Sequence, residues 1–173
     1  MSNETHLQPC GNDTHNLSIY VANKPGALAR IAQIFARRSF NIDSLVVSSS
    51  VDGNYSRMTI TAKGDAELLG QVIAALNKLV DVLRCVDHTG EDSVIKEMAL
   101  LKVGVSEKER TGALQIADHF EAKTVDLTEN SMSIMVTGGS EKIDAMVSLF
   151  GRYRIIELVR TGKVVMARGE KST

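Results

Sequence analysis

Aromatic residues are scarce in this chain of 173 residues, which has no tryptophan, three tyrosines and four phenylalanines. Proteins that bind single-stranded nucleic acid present exposed aromatic rings on which bases stack, so no base-stacking surface is expected. The two cysteines, Cys10 and Cys85, are too few for the disulfide framework of a small secreted domain. The composition therefore disfavours both of these classes of protein.

A strong charge of one sign and long apolar runs are also missing. The formal net charge is −1, so the overall field of the protein attracts neither nucleic acid nor anionic lipid. No apolar run approaches the roughly 18 residues of a membrane span, and the polar first residues lack the apolar core of a secretory signal. We therefore expect a cytoplasmic protein that binds neither nucleic acid nor membranes.

One order of elements, strand, helix, strand, strand, helix, strand, occurs twice along the chain. In the first copy, Leu17, Ile19 and Val21 alternate with other residues as in a strand with one buried face, and a helical period follows. Asp52-Gly-Asn supplies the turn residues of a hairpin, and Asp65 can cap the second helix. The predicted buried stripe of that helix consists of Leu68, Val72, Ile73 and Leu76.

The second copy begins with a strand-like segment at residues 98–105. Ser106 and Glu109 have the spacing of a capping box that opens a helix. Ser140 can cap the last helix of this copy. The remaining predicted strands lie at residues 122–128, 131–138, 155–160 and 164–167.

Together the two copies predict an α+β fold with two ferredoxin-like βαββαβ domains, each an antiparallel sheet with helices packed on one face. We assign residues 1–15 to a flexible tail, 16–90 to the first domain, 91–96 to a linker and 97–173 to the second domain. Domains this small bury only about 60% of their chain surface, and their sheet edges need cover. Both points favour an oligomer.

The turn between the first strand and the first helix is the candidate functional site. The first amides of a helix lack intrahelical partners and carry positive partial charge, so a carboxylate can bind at Gly26 and Ala27. Pro25 suits the first helical position, and the amide oxygen of Asn23 can accept from an ammonium group. Residues 40–42 can add another amide and an apolar wall. Such a site suits a small aliphatic zwitterion, although the same residues could simply end a strand and begin a helix.

Five runs of this sequence form a recognisable set of motifs. They are Asn23-Lys-Pro-Gly-Ala-Leu-Ala-Arg-Ile, Phe35-Ala-Arg-Arg-Ser-Phe-Asn-Ile-Asp-Ser-Leu, Ser56-Arg-Met-Thr-Ile, Leu79-Val-Asp-Val-Leu-Arg and Glu157-Leu-Val-Arg-Thr-Gly-Lys-Val. In this order the runs resemble the acetolactate synthase small subunits, and the first half of the chain resembles the ACT domain of that family. The resemblance covers about residues 16 to 169.

This resemblance implies a regulatory subunit without catalytic residues, metal or cofactor of its own. It implies a homodimer that binds a branched-chain amino acid, chiefly valine, between ACT domains for feedback inhibition in branched-chain amino acid biosynthesis. It also implies a catalytic large subunit as partner, which holds thiamine diphosphate, magnesium and FAD and condenses two pyruvates to 2-acetolactate and CO2. Carried over by motif, the valine contacts are Asn23, Gly26, Ala27 and Leu28 of one chain with Asn41 and Ile42 of the partner subunit.

The same pattern of elements occurs in other classes of protein. The same ligand site could serve an amino-acid sensor that regulates another enzyme or transcription, but the chain has no helix-turn-helix candidate or basic stripe. An RNA-binding module should carry rings on its third strand, and Ser56-Arg-Met-Thr-Ile-Thr has none. A stand-alone enzyme needs a catalytic cluster, and none stands out. His6, Cys10 and His15 match no standard zinc spacing.

Overall fold

The structure is a computed structural model that describes residues 13–170 and Thr173. The described chain divides into two compact units. The first contains the residues up to Ser93 together with residues 167–170 and Thr173, and the second is Val94–Met166.

The first unit is a four-stranded antiparallel sheet covered by two helices. The elements are β1 (Asp13–Ala22), α1 (Ala27–Arg37), β2 (Asn41–Ser49), β3 (Tyr55–Gly64), α2 (Ala66–Leu76) and β4 (Val82–Asp87). The strands lie in the order β2-β3-β1-β4, so β2 and β4 form the edges. Leu17 and Ile19 of β1 are fully buried, as are Ile31 and Phe35 of α1, so the helices cover one face of the sheet.

The second unit repeats this topology with one added strand. The elements are β5 (Ser93–Gly104), α3 (Glu107–His119), β6 (Lys123–Leu127), β7 (Ser131–Gly138), α4 (Ser140–Phe150), β8 (Arg154–Arg160) and β9 (Val164–Ala167). The strand order is β6-β7-β5-β8, and β9 pairs with β5. The core of this unit joins Leu101, Ile134, Ile143, Met146 and Phe150. The predicted fold class, two βαββαβ units with helices on one face, is therefore confirmed.

The first strand begins earlier than its apolar alternation predicts. Asp13 pairs with Gly64, and His15 is buried, with Nε2 lying 3.2 Å from the Gly64 carbonyl oxygen. The predicted tail, residues 1–15, thus includes the start of β1, because backbone pairing with β3 holds these polar residues in the sheet. The rest of that tail, with His6 and Cys10, lies outside the described residues.

The boundary between the two halves also differs from the prediction. Strand β5 begins at Ser93, inside the predicted linker of residues 91–96. Residues 93–97, with which this strand begins, mix polar and apolar side chains. Glu97 is buried because Arg160 forms an ion pair with it at 2.7 Å. Residues 167–170 belong to the first unit rather than to the predicted second domain of residues 97–173.

Two details of helix register correct the sequence prediction. Helix α2 buries Leu69, which is 3% exposed, whereas the predicted Leu68 is 41% exposed. The cap itself is as predicted, since Asp65 Oδ1 accepts from the amides of residues 67 and 68 at 2.8 and 3.2 Å. Helix α4 has Gly139 as its N-cap, and Ser140 is the first helical residue.

Candidate functional site

A tight turn joins β1 to α1 and sets the shape of the candidate site. The Lys24 amide donates to the Ala22 carbonyl at 2.8 Å, and Gly26 is the N-cap of α1 with φ of 81°. This left-handed conformation strains any residue with a Cβ. The sequence predicted Pro25 at the first helical position. In the structure Pro25 instead lies before the N-cap.

Asn23 is tied to the β2–β3 hairpin by two hydrogen bonds. Its backbone amide donates to the Asn54 carbonyl at 2.9 Å, and its side-chain Nδ2 donates to the Gly53 carbonyl at 3.1 Å. Within the described residues, nothing donates to its side-chain oxygen. The side-chain nitrogen is thus hydrogen-bonded to the hairpin, while the side-chain oxygen remains available as an acceptor.

The amides at the start of α1 are only partly available. The Ala27 amide donates to the Lys24 carbonyl at 3.3 Å, and the Arg30 amide donates to Gly26 at 3.1 Å. Among the residues that the structure describes, the amides of Gly26 and Leu28 have no acceptor. The first turn of α1 also contains no acidic side chain. The positive end of the helix is therefore open to an anion, through a set of amides that overlaps the predicted one.

Sequence reasoning missed the charged group beside this helix start. Arg30 and Asp81 form a hydrogen-bonded ion pair, and Lys24 Nζ lies 3.9 Å from the same carboxylate. A Cβ added to Gly26 would lie 3.3 Å from Arg30 Nη1, so the guanidinium borders the open amides. Two cations face one carboxylate here, and the excess positive charge favours an anionic ligand group. Arg30 is one helical turn after Gly26, a spacing that could have identified it, whereas Asp81 is remote in sequence.

The other two predicted contacts on this turn differ in accessibility. Ala27 is buried in the core, so only its backbone faces the turn. Leu28 is 41% exposed.

Asn41 and Ile42 lie far from this turn within the same chain. Asn41 begins β2 opposite Lys63, whereas Asn23 bonds the hairpin that follows Ser49 at the other end of the strand. The length of β2 separates these ends by roughly 25 Å at about 3.3 Å per residue. One chain therefore does not bring the six predicted contact residues together.

Comparison with known proteins places both units in one family. The family model for the AHAS small subunit-like ACT domain matches residues 17–84, and the model for the small subunit of acetolactate synthase matches residues 96–169. The chain belongs to the acetolactate synthase small-subunit family. The resemblance inferred from the sequence motifs is confirmed.

Individual relatives cover nearly the whole of this small-subunit chain. The probable acetolactate synthase small subunit of Archaeoglobus fulgidus is 42% identical over 157 residues, which are 91% of this chain and 98% of that protein. The acetolactate synthase small subunit of Mycolicibacterium smegmatis is 38% identical and covers 93% of this chain and 95% of its own. The crystal structure of the Thermotoga maritima small subunit superposes with a TM-score of 0.83 at 34% identity, covering 92% of this chain and 99% of that one.

The family assignment places the candidate site in the ACT domain of a small subunit. The matched residues 17–84 include the β1–α1 turn and the whole of β2. No helix in the described part of the chain is long and apolar enough to cross a membrane.

Proposed function

We propose that this chain is a non-catalytic regulatory subunit that binds and tunes a catalytic acetolactate synthase subunit. Family membership over both units supports this role. The catalytic partner would hold thiamine diphosphate, magnesium and FAD and would condense two pyruvates to 2-acetolactate and CO2. The present chain would contribute effector binding and contacts to that partner, in the cytoplasm and within branched-chain amino acid biosynthesis.

The effector we propose is valine, bound at the start of α1. The open amides near Gly26 and the neighbouring Arg30 suit its carboxylate, and the side-chain oxygen of Asn23 suits its ammonium group. The exposed side chain of Leu28 suits its isopropyl group. The observation that carries the proposal is the combination, on one turn, of amides without an acceptor among the described residues, an asparagine hydrogen-bonded to the hairpin and excess positive charge.

The site becomes complete if two chains pair through β2. This strand is an edge of its sheet, and Leu45 and Val47 on it are exposed. Antiparallel pairing of two β2 strands would place the beginning of one strand beside the end of the other. Asn41 and Ile42 of the partner subunit would then approach the hairpin to which Asn23 is bonded. A homodimer of this kind supports the six-residue site, which a single chain cannot form.

Regulation would follow if valine binds one dimer arrangement more tightly than another. An effector shifts an equilibrium only by its difference in affinity for the two states, and a catalytic subunit bound to the favoured state would sense the shift. Because valine would contact both chains, its binding would favour the dimer arrangement in which the two halves of the site lie close together.

The first test is calorimetric titration of the purified chain with valine, leucine, isoleucine and, as a control, lysine. We expect saturable binding of at least one branched-chain ligand and at least a tenfold loss of affinity in Asn23→Ala. Asn77→Ala is the matched control, because Asn77 Oδ1 accepts from the Cys85 amide at 2.9 Å and lies outside the site. Equal weakening by both variants would indicate a folding effect and refute the site.

The regulatory role is tested separately with a reconstituted catalytic subunit. We expect the chain to raise acetolactate formation and valine to lower it, with Gly26→Asp removing the valine response but not the activation. A chain that neither activates nor associates with the catalytic subunit would refute the proposed function. Retention of the full valine response by Gly26→Asp would refute the site alone.

A further inference from the structure

A row of polar side chains crosses the first sheet on the face opposite its helices. The register pairs Ser48 with Arg57, Arg57 with Tyr20 and Tyr20 with Arg84. The sequence neighbours of these residues in β1, β3 and β4 include Ile19, Met58 and Cys85, which are buried in the core. Because side chains alternate along a strand, Tyr20 and the two arginines project from the opposite face. Directly opposed residues lie about 5 Å apart, so both guanidinium groups flank one phenol ring.

This row borders an open cavity of about 520 Å³. That volume falls within the roughly 300–1,000 Å³ that is typical of small-molecule sites. Hydroxyl groups of residues 48–50 and the side chain of Val51 line the cavity beside the two arginines, and Thr173 forms a further part of the wall. The cavity therefore combines fork-shaped cationic donors, hydroxyl groups and a small apolar surface.

The two positive charges are not neutralised by the described chain. Neither Arg57 nor Arg84 forms an ion pair with any described residue, and none of the described residues that line the cavity has an acidic side chain. Asp52, which follows the lining residue Val51, is exposed, and its carboxylate accepts from Ser50 Oγ and from the Asn54 amide at 3.3 Å. Arg57 on β3 and Arg84 on β4 lie on either side of Tyr20 of β1, so their positive charges add in the cavity that both residues line. An anion bound between the guanidinium groups would offset this charge.

Tyr20 is fixed at the centre of the row. Its ring lies against that of Tyr55 with centroids 5.2 Å apart and an interplanar angle of 30°. Packing of this kind limits the rotation of the Tyr20 ring. The surface between the two arginines is therefore preorganised before a ligand binds.

We propose that this cavity binds a small metabolite through a phosphate or carboxylate group held by Arg57 and Arg84. Arginine presents planar, paired donors that match both oxyanions, and paired contacts from two guanidinium groups give orientation as well as affinity. The site lies on the open face of the sheet and does not use the amides of α1. It therefore extends beyond the proposed valine site and does not depend on it.

The test is calorimetric titration of the whole chain with pyrophosphate in one arm and succinate in another, at constant ionic strength. We expect saturable binding in at least one arm, which identifies the oxyanion class. Arg57→Gln and Arg84→Gln should each weaken that binding at least tenfold, and Arg57→Lys should weaken it less. Arg37→Gln is the matched control, because Arg37 is exposed at the end of α1 and away from the cavity. It should bind as the unaltered chain does.

Valine titration of the same variants separates this site from the other. Unchanged valine binding by Arg57→Gln and Arg84→Gln, together with loss of the oxyanion, supports two independent sites and shows that the variants fold. Binding of neither probe by the unaltered chain overturns the proposal, as does equal binding by all the variants. Weaker association of Arg84→Gln with the catalytic subunit, without oxyanion binding by the unaltered chain, would also overturn it and would indicate a protein-docking surface.

Discussion

At the residue scale, two glycines of the first unit illustrate opposite requirements on the backbone. Gly26 adopts φ of 81° at the start of α1, and a Cβ there would approach Arg30. Gly70 lies inside α2 with ordinary helical geometry, and a Cβ there would meet no atom within 4 Å. One glycine is thus required by the local conformation, and the other only weakens its helix.

We predict opposite effects of alanine at these two positions. Gly26→Ala should destabilise the protein by roughly 1–2 kcal/mol, because a Cβ disfavours the left-handed conformation. Gly70→Ala should stabilise it by up to about 1 kcal/mol, since alanine is the better helix former. Urea unfolding measures both changes. A stabilising Gly26→Ala would mean that the N-cap has another conformation in solution.

The buried environment of Cys85 changes the pKa of its thiol. Burial raises the pKa of its thiol to about 12 from an ordinary value of 9.0, and the nearby charge of Asp87 adds to the shift. The raised pKa keeps the thiol protonated at neutral pH, and the thiolate is the reactive form. Three pH units correspond to roughly 1,000-fold less thiolate.

We therefore predict that Cys85 resists alkylation in the folded protein. In a Cys10→Ser variant, iodoacetamide at pH 8 should react at least 100-fold more slowly with the native chain than with the urea-unfolded chain, since the access and the pKa of Cys85 both oppose the reaction. Similar rates for native and unfolded protein would contradict the burial of this side chain.

At the scale of elements, the sequence predicted the helices and strands better than it predicted their register and ends. The cap at Asp65 is as predicted because its chemistry is local, whereas the N-cap of α4 is Gly139 and not the predicted Ser140. The buried stripe of α2 was assigned to Leu68 because adjacent leucines are equivalent in composition, and packing against the sheet selects Leu69. The sequence did not predict the start of β1 at Asp13, because the first residues of this strand are polar. They belong to the strand because their backbone pairs with β3.

The cap of α2 can be tested with a matched pair of variants. Asp65→Ala should cost about 1 kcal/mol, because two backbone amides lose their acceptor. Asp65→Asn should cost less, since asparagine retains an oxygen that caps well. Urea unfolding of both variants checks this order. If both cost the same, the charge at the helix end and not the hydrogen bonds is the stabilising feature.

At the scale of the whole molecule, the same topology is built twice from different side chains. Both sheets have the order expected of a βαββαβ unit, and β2 and β4 are the edge strands of the first sheet. On β2 this edge carries exposed apolar side chains, a combination that natural proteins usually cover. The proposed pairing through β2 would cover it.

We predict a homodimer that a charge on β2 disrupts. Val47→Lys should shift the protein towards monomer in sedimentation equilibrium and weaken valine binding, because Val47 lies on the proposed interface strand and is 45% exposed. Val80→Lys is the matched control, since Val80 is 100% exposed in the loop before β4 and lies outside that strand. A Val47→Lys protein that remains dimeric at low concentration would place the interface elsewhere.

The sequence by itself determined the class of elements, their order, the family and the turn that holds Asn23 and Gly26, because alternation, helical period and turn chemistry are local properties. Only the tertiary structure decided what surrounds that turn. Asp81 reaches Arg30 across the fold, the hairpin immobilises Asn23, and β2 separates Asn41 from both. The row of Arg57, Tyr20 and Arg84 likewise depends on strand register, which joins residues that no spacing in the sequence connects.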